Sequence, residues 1–159
     1  MDDDPSYDIC VAIVDRAPAT IDPGLLRRAV EQTLRRRSCP SARISVAVVA
    51  DDRIAELNRR FLACEGPTDV LSFNLAGAMA AAGDRLEGEL VISAETAHRQ
   101  ARLRGHSTLD ELMLYAIHGT LHLLGMNDQT EADAQDMHRL EDEILVELGH
   151  EPVYGGVHS

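Results

Sequence analysis

From Asp8 to Val14 polar and apolar residues alternate and then give way to an apolar run, and Ile44 to Val49 is rich in β-branched side chains, so both stretches are expected to be strands. Between them the spacing becomes helical: Asp22 or Pro23 opens a segment with Leu25, Leu26, Ala29, Val30 and Leu34 on one side, ending near Arg37. Asp51 to Leu62 predicts a shorter helix. Pro67 breaks the chain before a third strand, Val70 to Asn74, and a loop rich in alanine and glycine, Ala76 to Arg85, precedes a fourth, Leu86 to Ile92. Three helices follow: Ala94 to Arg104, Thr108 to Leu124 with a Thr108/Glu111 capping box, and Thr130 to Leu148 with a Thr130/Asp133 box. The tail from about Gly149, with Pro152, Gly155 and Gly156, is expected to fray.

Four strands and about five helices in this order predict an α/β (α+β-like) single domain over residues 1–159, a small four-stranded mixed sheet covered by helices. The segment from Leu109 to Leu124 is apolar on nearly every side and is expected to be the buried central helix. A chain of 159 residues with 45% hydrophobic content builds one core, and with 3% aromatic residues that core must be mostly aliphatic. Cys10, Cys39 and Cys64 are odd in number and in no metal-type spacing, which argues for reduced thiols. The acidic N-terminus lacks the regions of a signal peptide, and no run approaches the roughly 18 apolar residues of a membrane span. The protein is expected to be soluble and cytoplasmic, with no membrane partner.

That central helix carries the chemistry. His118 and His122, four residues apart, point their rings the same way, and past Gly125, which can end the helix, Asp128 can fold back over them. Leaving two imidazoles unpaired in an apolar helix costs roughly 1 to 3 kcal/mol for each polar group, which coordination removes. Two imidazoles and a carboxylate with one open position suit a catalytic zinc rather than a structural one. Zinc peptidases with two helical histidines place a glutamate directly after the first as general base. Here that position is Gly119, so the spacing does not license protease chemistry.

HGTLHLLGMND (118–128) resembles the HGxLHLxGxD signature of the YbeY family, the single-strand-specific metallo-endoribonucleases of bacterial rRNA maturation. LNRRFLACEGPTDVLSFN (57–74) is similar to the family's LNxxyR…PTDVLSF, GELVIS (88–93) to its G[ED]IxIS, and TEADAQDMHRLEDEIL (130–145) to the acidic helix that follows the metal motif. The resemblance implies one Zn²⁺ per chain and cleavage of single-stranded RNA in small-subunit 16S rRNA 3′ end maturation and ribosome quality control. It further implies the ribosome or ribosomal proteins as partners, with no DNA substrate. Thr68, Asp69 and Ser72 would lie near the metal. Asp69 and Glu89, which fall in matching segments, are the candidates for the catalytic base.

Two departures matter. The family's usual third ligand is a histidine ten residues after the first, where this chain has Asp128; a carboxylate oxygen is a competent zinc ligand at about 2.0 to 2.2 Å, but makes the site harder and more anionic. Asn127 stands where the family usually has aspartate, so a one-residue slip would matter, and His138 on the next helix is the fallback ligand. Where the family commonly has an arginine that meets RNA, this chain has Leu62; Arg59, three residues earlier, and Arg60 could present a guanidinium to the same cleft.

Net charge of −12 weighs against RNA, since phosphate contacts by basic residues normally dominate affinity. The acids, however, concentrate at Asp2 to Asp4 and from Asp128 to Glu147, while the fifteen basic residues are all arginines and cluster at Arg27, Arg28 and Arg35 to Arg37, at Arg59 and Arg60, and at Arg99, Arg102 and Arg104. An arginine-lined cleft beside an acidic helix can still steer a phosphate backbone. Two alternatives share the residues: a metal-dependent hydrolase of peptides or small molecules, and a non-catalytic ribosome-associated metal-binding factor in which the metal only pins the helices.

Overall fold

The computed structural model describes residues 4–18, 20–62, 66, 68–75 and 85–154. Cys64, Pro67, most of the alanine and glycine loop (76–84) and the end of the tail (155–159) lie outside the described residues. The element order is β1 (Ser6–Ile13), α1 (Pro23–Arg36), β2 (Ser41–Val49), α2 (Asp51–Leu62), β3 (Val70–Asn74), β4 (Leu86–Ser93), α3 (Ala94–Arg104), α4 (Thr108–Leu123) and α5 (Glu131–Glu147).

The strands form one mixed sheet in the order β1-β2-β4-β3, parallel except for β3, which pairs antiparallel with β4 at the edge. Successive residues of a strand face opposite sides, so the register assigns each residue to a face. Ile9, Ile44, Gly88 and Asn74 lie in one row, and Val11, Val46, Leu90 and Ser72 in the next on the same face. That face holds the main core, where Leu26, Val30 and Leu34 of α1 and Leu112, Ile117 and Leu121 of α4 are fully buried. The opposite face carries a smaller cluster, Val49, Ile54, Leu71 and Val91, covered by α2.

Helix α4 packs against α1, α3, α5, β3 and β4, and two glycines set how closely it can lie on the sheet. A Cβ on Gly119 would come within 2.8 Å of Leu90 Cδ2 and 3.1 Å of Val70 Cγ2, and one on Gly88 within 2.6 Å of Leu123 Cδ1. Leu90 has no exposed surface and Leu123 only 5%, so neither has space to yield. Gly119 therefore faces the sheet, and the absence of a glutamate after His118 reflects close packing of helix on strand.

Several element ends differ from the sequence expectation. β2 starts at Ser41 rather than Ile44, because its first residues pair with Ser6, Tyr7 and Asp8 of β1, and the Tyr7 hydroxyl bonds the Cys39 carbonyl at 2.6 Å. Helix α4 is capped by Ser107, whose hydroxyl accepts the Asp110 N–H, and not by a Thr108/Glu111 box: Glu111 is buried against His106, and the Thr108 hydroxyl meets His98 Nδ1. Thr130 does cap α5, accepting the Asp133 N–H at 3.0 Å. The described part of the tail is tied down, since the buried Asp142 carboxylate accepts the N–H groups of Val153 and Tyr154 and His150 pairs with Asp110.

Candidate metal centre

His118 and His122 occupy the one stripe of α4 that is not sealed by apolar neighbours, with Tyr115 a turn before them; both rings are partly exposed. The helix ends in a glycine turn whose bonds place the third group. Gly125 adopts φ +97°, its N–H bonds the His122 carbonyl, and the Met126 N–H bonds the Leu121 carbonyl, the paired closure of a Schellman motif. The chain thereby doubles back on the helix. Asp128 Oδ2 reaches 3.7 Å from His118 Nε2, and Oδ1 reaches 3.9 Å from His122 Nε2.

The two Nε2 atoms stand 2.9 Å apart, with the rings edge to face at a centroid distance of 4.5 Å. Their Nδ1 atoms point outward to acceptors. His122 Nδ1 lies 3.0 Å from the Met126 carbonyl, which can only accept, so that nitrogen carries the proton. His118 Nδ1 lies 2.6 Å from Oε2 of Glu141, whose side chain is only 1% exposed. With protons held outside, both Nε2 lone pairs face each other, an arrangement stable only if a cation or a proton lies between them.

The donor set can be tested against a metal directly. Ligand bonds of about 2.0 to 2.2 Å in a tetrahedron separate the ligand atoms by about 3.4 Å. The two Nε2 atoms are 2.9 Å apart, each lies within 3.9 Å of one Asp128 carboxylate oxygen, and one ligand atom from each of His118, His122 and Asp128 lies within 4.8 Å of the other two, close enough to close on a cation with small adjustments. Asp128 is 42% exposed and both rings are partly exposed, so the group lies at the surface and can be reached from solvent. Burial alone would lower the His118 pKa, but the hydrogen bond and charge of Glu141, with the charges of Asp69 and Asp128, outweigh it and raise it above the ordinary histidine value. The same negative field attracts a divalent cation.

The remaining sequence candidates divide. Asn127 uses its side-chain oxygen on the Gln129 N–H, as a turn former, so the slip to Asn127 does not occur. His138 stacks on Tyr154 at 3.9 Å between ring centroids and is not in the group. Asp69 stands at the start of β3, accepts the Val70 N–H at 2.7 Å, and is close enough for its charge to act on His118 and Tyr115. Ser72 shares the sheet face that α4 covers, and the half-buried Thr68 leads into the strand.

Glu89 and the α2 arginines are not brought to the histidines. Gly88 and Leu90 touch α4, so the pleat turns Glu89 to the opposite face, where it is exposed. Arg59 and Arg60 ride on α2, which covers that same opposite face; Arg59 pairs with Glu56 of its own helix, and Arg60 lies 6.0 Å from the Phe61 ring centroid. Sequence reasoning missed Glu141. Its signal was present: a charged residue four positions after Met137 and three before Ile144 sits on the apolar stripe of α5.

A small mixed α/β domain that carries two histidines and an aspartate on and just beyond its central helix is one class of protein, defined by fold and site together. The chain belongs to the YbeY family: the family model described as Endoribonuclease YbeY matches residues 19–149. Curated relatives agree, each called Endoribonuclease YbeY. That of Desulfitobacterium hafniense is 42% identical over 114 residues, 68% of this chain and 73% of that protein. That of Pelotomaculum thermopropionicum is 40% identical over 129 residues, 79% of this chain and 85% of its own. A solution structure from Thermotoga maritima shares the fold with a TM-score of 0.58, covering 88% of this chain and 91% of the other at 24% sequence identity. No helix among the described residues is long and apolar enough to cross a membrane.

Proposed function

We propose that this protein is a zinc-dependent endoribonuclease specific for single-stranded RNA, acting on small-subunit rRNA (16S 3′ end maturation) and in ribosome quality control in the cytoplasm. The observation that carries the reading is the convergence of two Nε2 atoms and a carboxylate while both Nδ1 atoms are held outward. His118, His122 and Asp128 would hold one Zn²⁺. When bound, the metal supplies Lewis acidity toward a phosphoryl oxygen and lowers the pKa of a bound water toward about 7.

The protein's own groups do the rest. Glu141 and the Met126 carbonyl fix the tautomer and direction of the two imidazoles, so the lone pairs are aimed before the metal arrives. Asp69, whose charge acts on His118, would accept the proton of the attacking group, water or the ribose 2′-hydroxyl. Gly119, pressed against Leu90, leaves no general base where a peptidase has one, which disfavours peptide hydrolysis.

The test is metal analysis of purified protein followed by cleavage of single-stranded and duplex RNA with and without chelator. Expected outcomes are about one zinc per chain, cutting of the single strand only, and loss of both metal and cutting in His118→Ala and His122→Ala. Undiminished cleavage by variants that retain no metal would overturn the proposal. A chelated protein with a lower melting temperature, from a parent that never cut RNA, would favour the non-catalytic factor.

A further inference from the structure

Beside the metal centre lies a second feature that the hydrolytic reading does not use. A cavity of about 470 Å³ opens between α3, α4 and the start of β3, and Thr68, Asp69, Arg99, Arg104 and Tyr115 line it. Tyr115 precedes His118 by three positions, so the cavity and the histidines share one stripe of α4, a single turn apart. Asp69 borders both, since it lines the cavity and its charge acts on His118.

Its donors are held in place yet incompletely used. Arg99 donates to Asp51 Oδ2 at 2.7 Å and to the Thr96 hydroxyl at 3.0 Å, which occupies two of the five N–H groups of a guanidinium. Arg104 is braced by Glu111 at 3.8 Å and lies 5.6 Å from the Tyr154 ring centroid. Tyr115, only 4% exposed, forms the floor: burial and the neighbouring Glu111 carboxylate push the pKa of its hydroxyl up, so it stays protonated beside that carboxylate. Asp69, the anion on the far lip, has Oδ1 engaged by the Val70 N–H and by the Thr68 hydroxyl, which tempers its repulsion.

We propose that this cavity seats a backbone phosphate of the RNA strand next to the phosphate at the metal, with Arg99 and Arg104 as its donors. The inference rests on the endoribonuclease reading and adds to it the wall along which the strand runs. It also answers the objection from net charge. The arginines that matter are those on α3, braced by Asp51 and Glu111, and not those on α2.

The experiment is fluorescence anisotropy of a short labelled single-stranded oligoribonucleotide on the full chain with metal chelated, across a salt series. Arg99→Gln, an exposed position, is expected to weaken binding and to lower the slope of log affinity against log salt by about 0.7, the value for one phosphate on a single strand. Arg104→Lys keeps the charge but loses the planar fork, and is expected to weaken binding roughly fivefold with the slope unchanged. Both variants should keep the parent's melting temperature and zinc content. Parent-like affinity and slope in both variants, from a parent that does cleave single-stranded RNA, would overturn the subsite and leave the nuclease standing. A parent that neither binds nor cuts single-stranded RNA would overturn both.

Discussion

Glu141 and Glu111 are both without exposed surface, and each holds a histidine ring, yet the two pairs serve different ends. Glu111 meets His106 Nε2 five residues away, and with Arg104 it clamps the turn between α3 and α4. Glu141 meets His118 Nδ1 from 23 residues away, and the free nitrogen of that ring faces His122 and Asp128. A buried carboxylate beside an imidazole is therefore no sign of a metal by itself. What separates the two is the opposite side of the ring: a second imidazole one turn on and a carboxylate returned by a glycine turn make the difference.

Removing each ring is the strongest way to break that comparison. His118→Ala is expected to abolish zinc binding and to cut RNA cleavage by about a thousandfold or more, the scale on which loss of an activating metal falls. His106→Ala should leave zinc bound but strand Glu111 in the core, and breaking a buried pair in this way costs on the order of 3 kcal/mol. Zinc analysis, cleavage assays and thermal melts on the two variants together separate the cases. Loss of zinc in His106→Ala, or its retention in His118→Ala, would erase the distinction.

Changing the carboxylates gives a smaller effect on the same axis. Glu141→Gln keeps the shape and weakens the acceptor that orients His118, so zinc affinity is expected to fall about 10- to 100-fold, as for other groups that hold a metal-binding histidine. Glu111→Gln should leave zinc affinity unchanged. Competition against a chromogenic chelator reads this directly, and equal affinity in the two variants would show that Glu141 has no part in aiming the ring.

The residues that could be read from sequence were those whose geometry is local. His118, His122, Gly125 and Asp128 lie within eleven residues, where helical spacing and one glycine turn suffice to bring them together. Glu89 was misplaced because motif proximity says nothing of which sheet face a side chain takes. That depends on where α4 lands, which Gly88 and Gly119 decide across the fold. Glu141 was hidden by its neighbours: in a helix dense with acids, the one turned inward is distinguished only by Met137 and Ile144 on either side. The α2 arginines lie away from the histidines for the reason that turns Glu89 away, since the small cluster of Ile54, Leu71 and Val91 fixes α2 to the far face. Even β2 begins early because its first residues answer to β1, not to their own propensity.

A third carboxylate sharpens the contrast most gently, because its partner is a permanent cation at the surface. Asp15 accepts from Arg53 Nε at 2.8 Å and Nη2 at 3.0 Å, and from the Ala50 N–H at 2.9 Å. The arginine hydrogen bonds, then the backbone one, hold its pKa down at about 2, against an ordinary value of 3.8. A depressed carboxylate contributes stability that is fully present above its unfolded pKa and is lost as pH falls through its folded one. Asp15→Asn should therefore melt below the parent at neutral pH, with the gap shrinking between about pH 4 and pH 2 and closing below it. The effect is small, since exposed ion pairs contribute little and salt screens them. Thermal melts of both proteins across that range test it. A gap that stays constant down to pH 2 would mean that Asp15 acts through its shape and not its charge, unlike the two buried glutamates, whose work is to hold a ring.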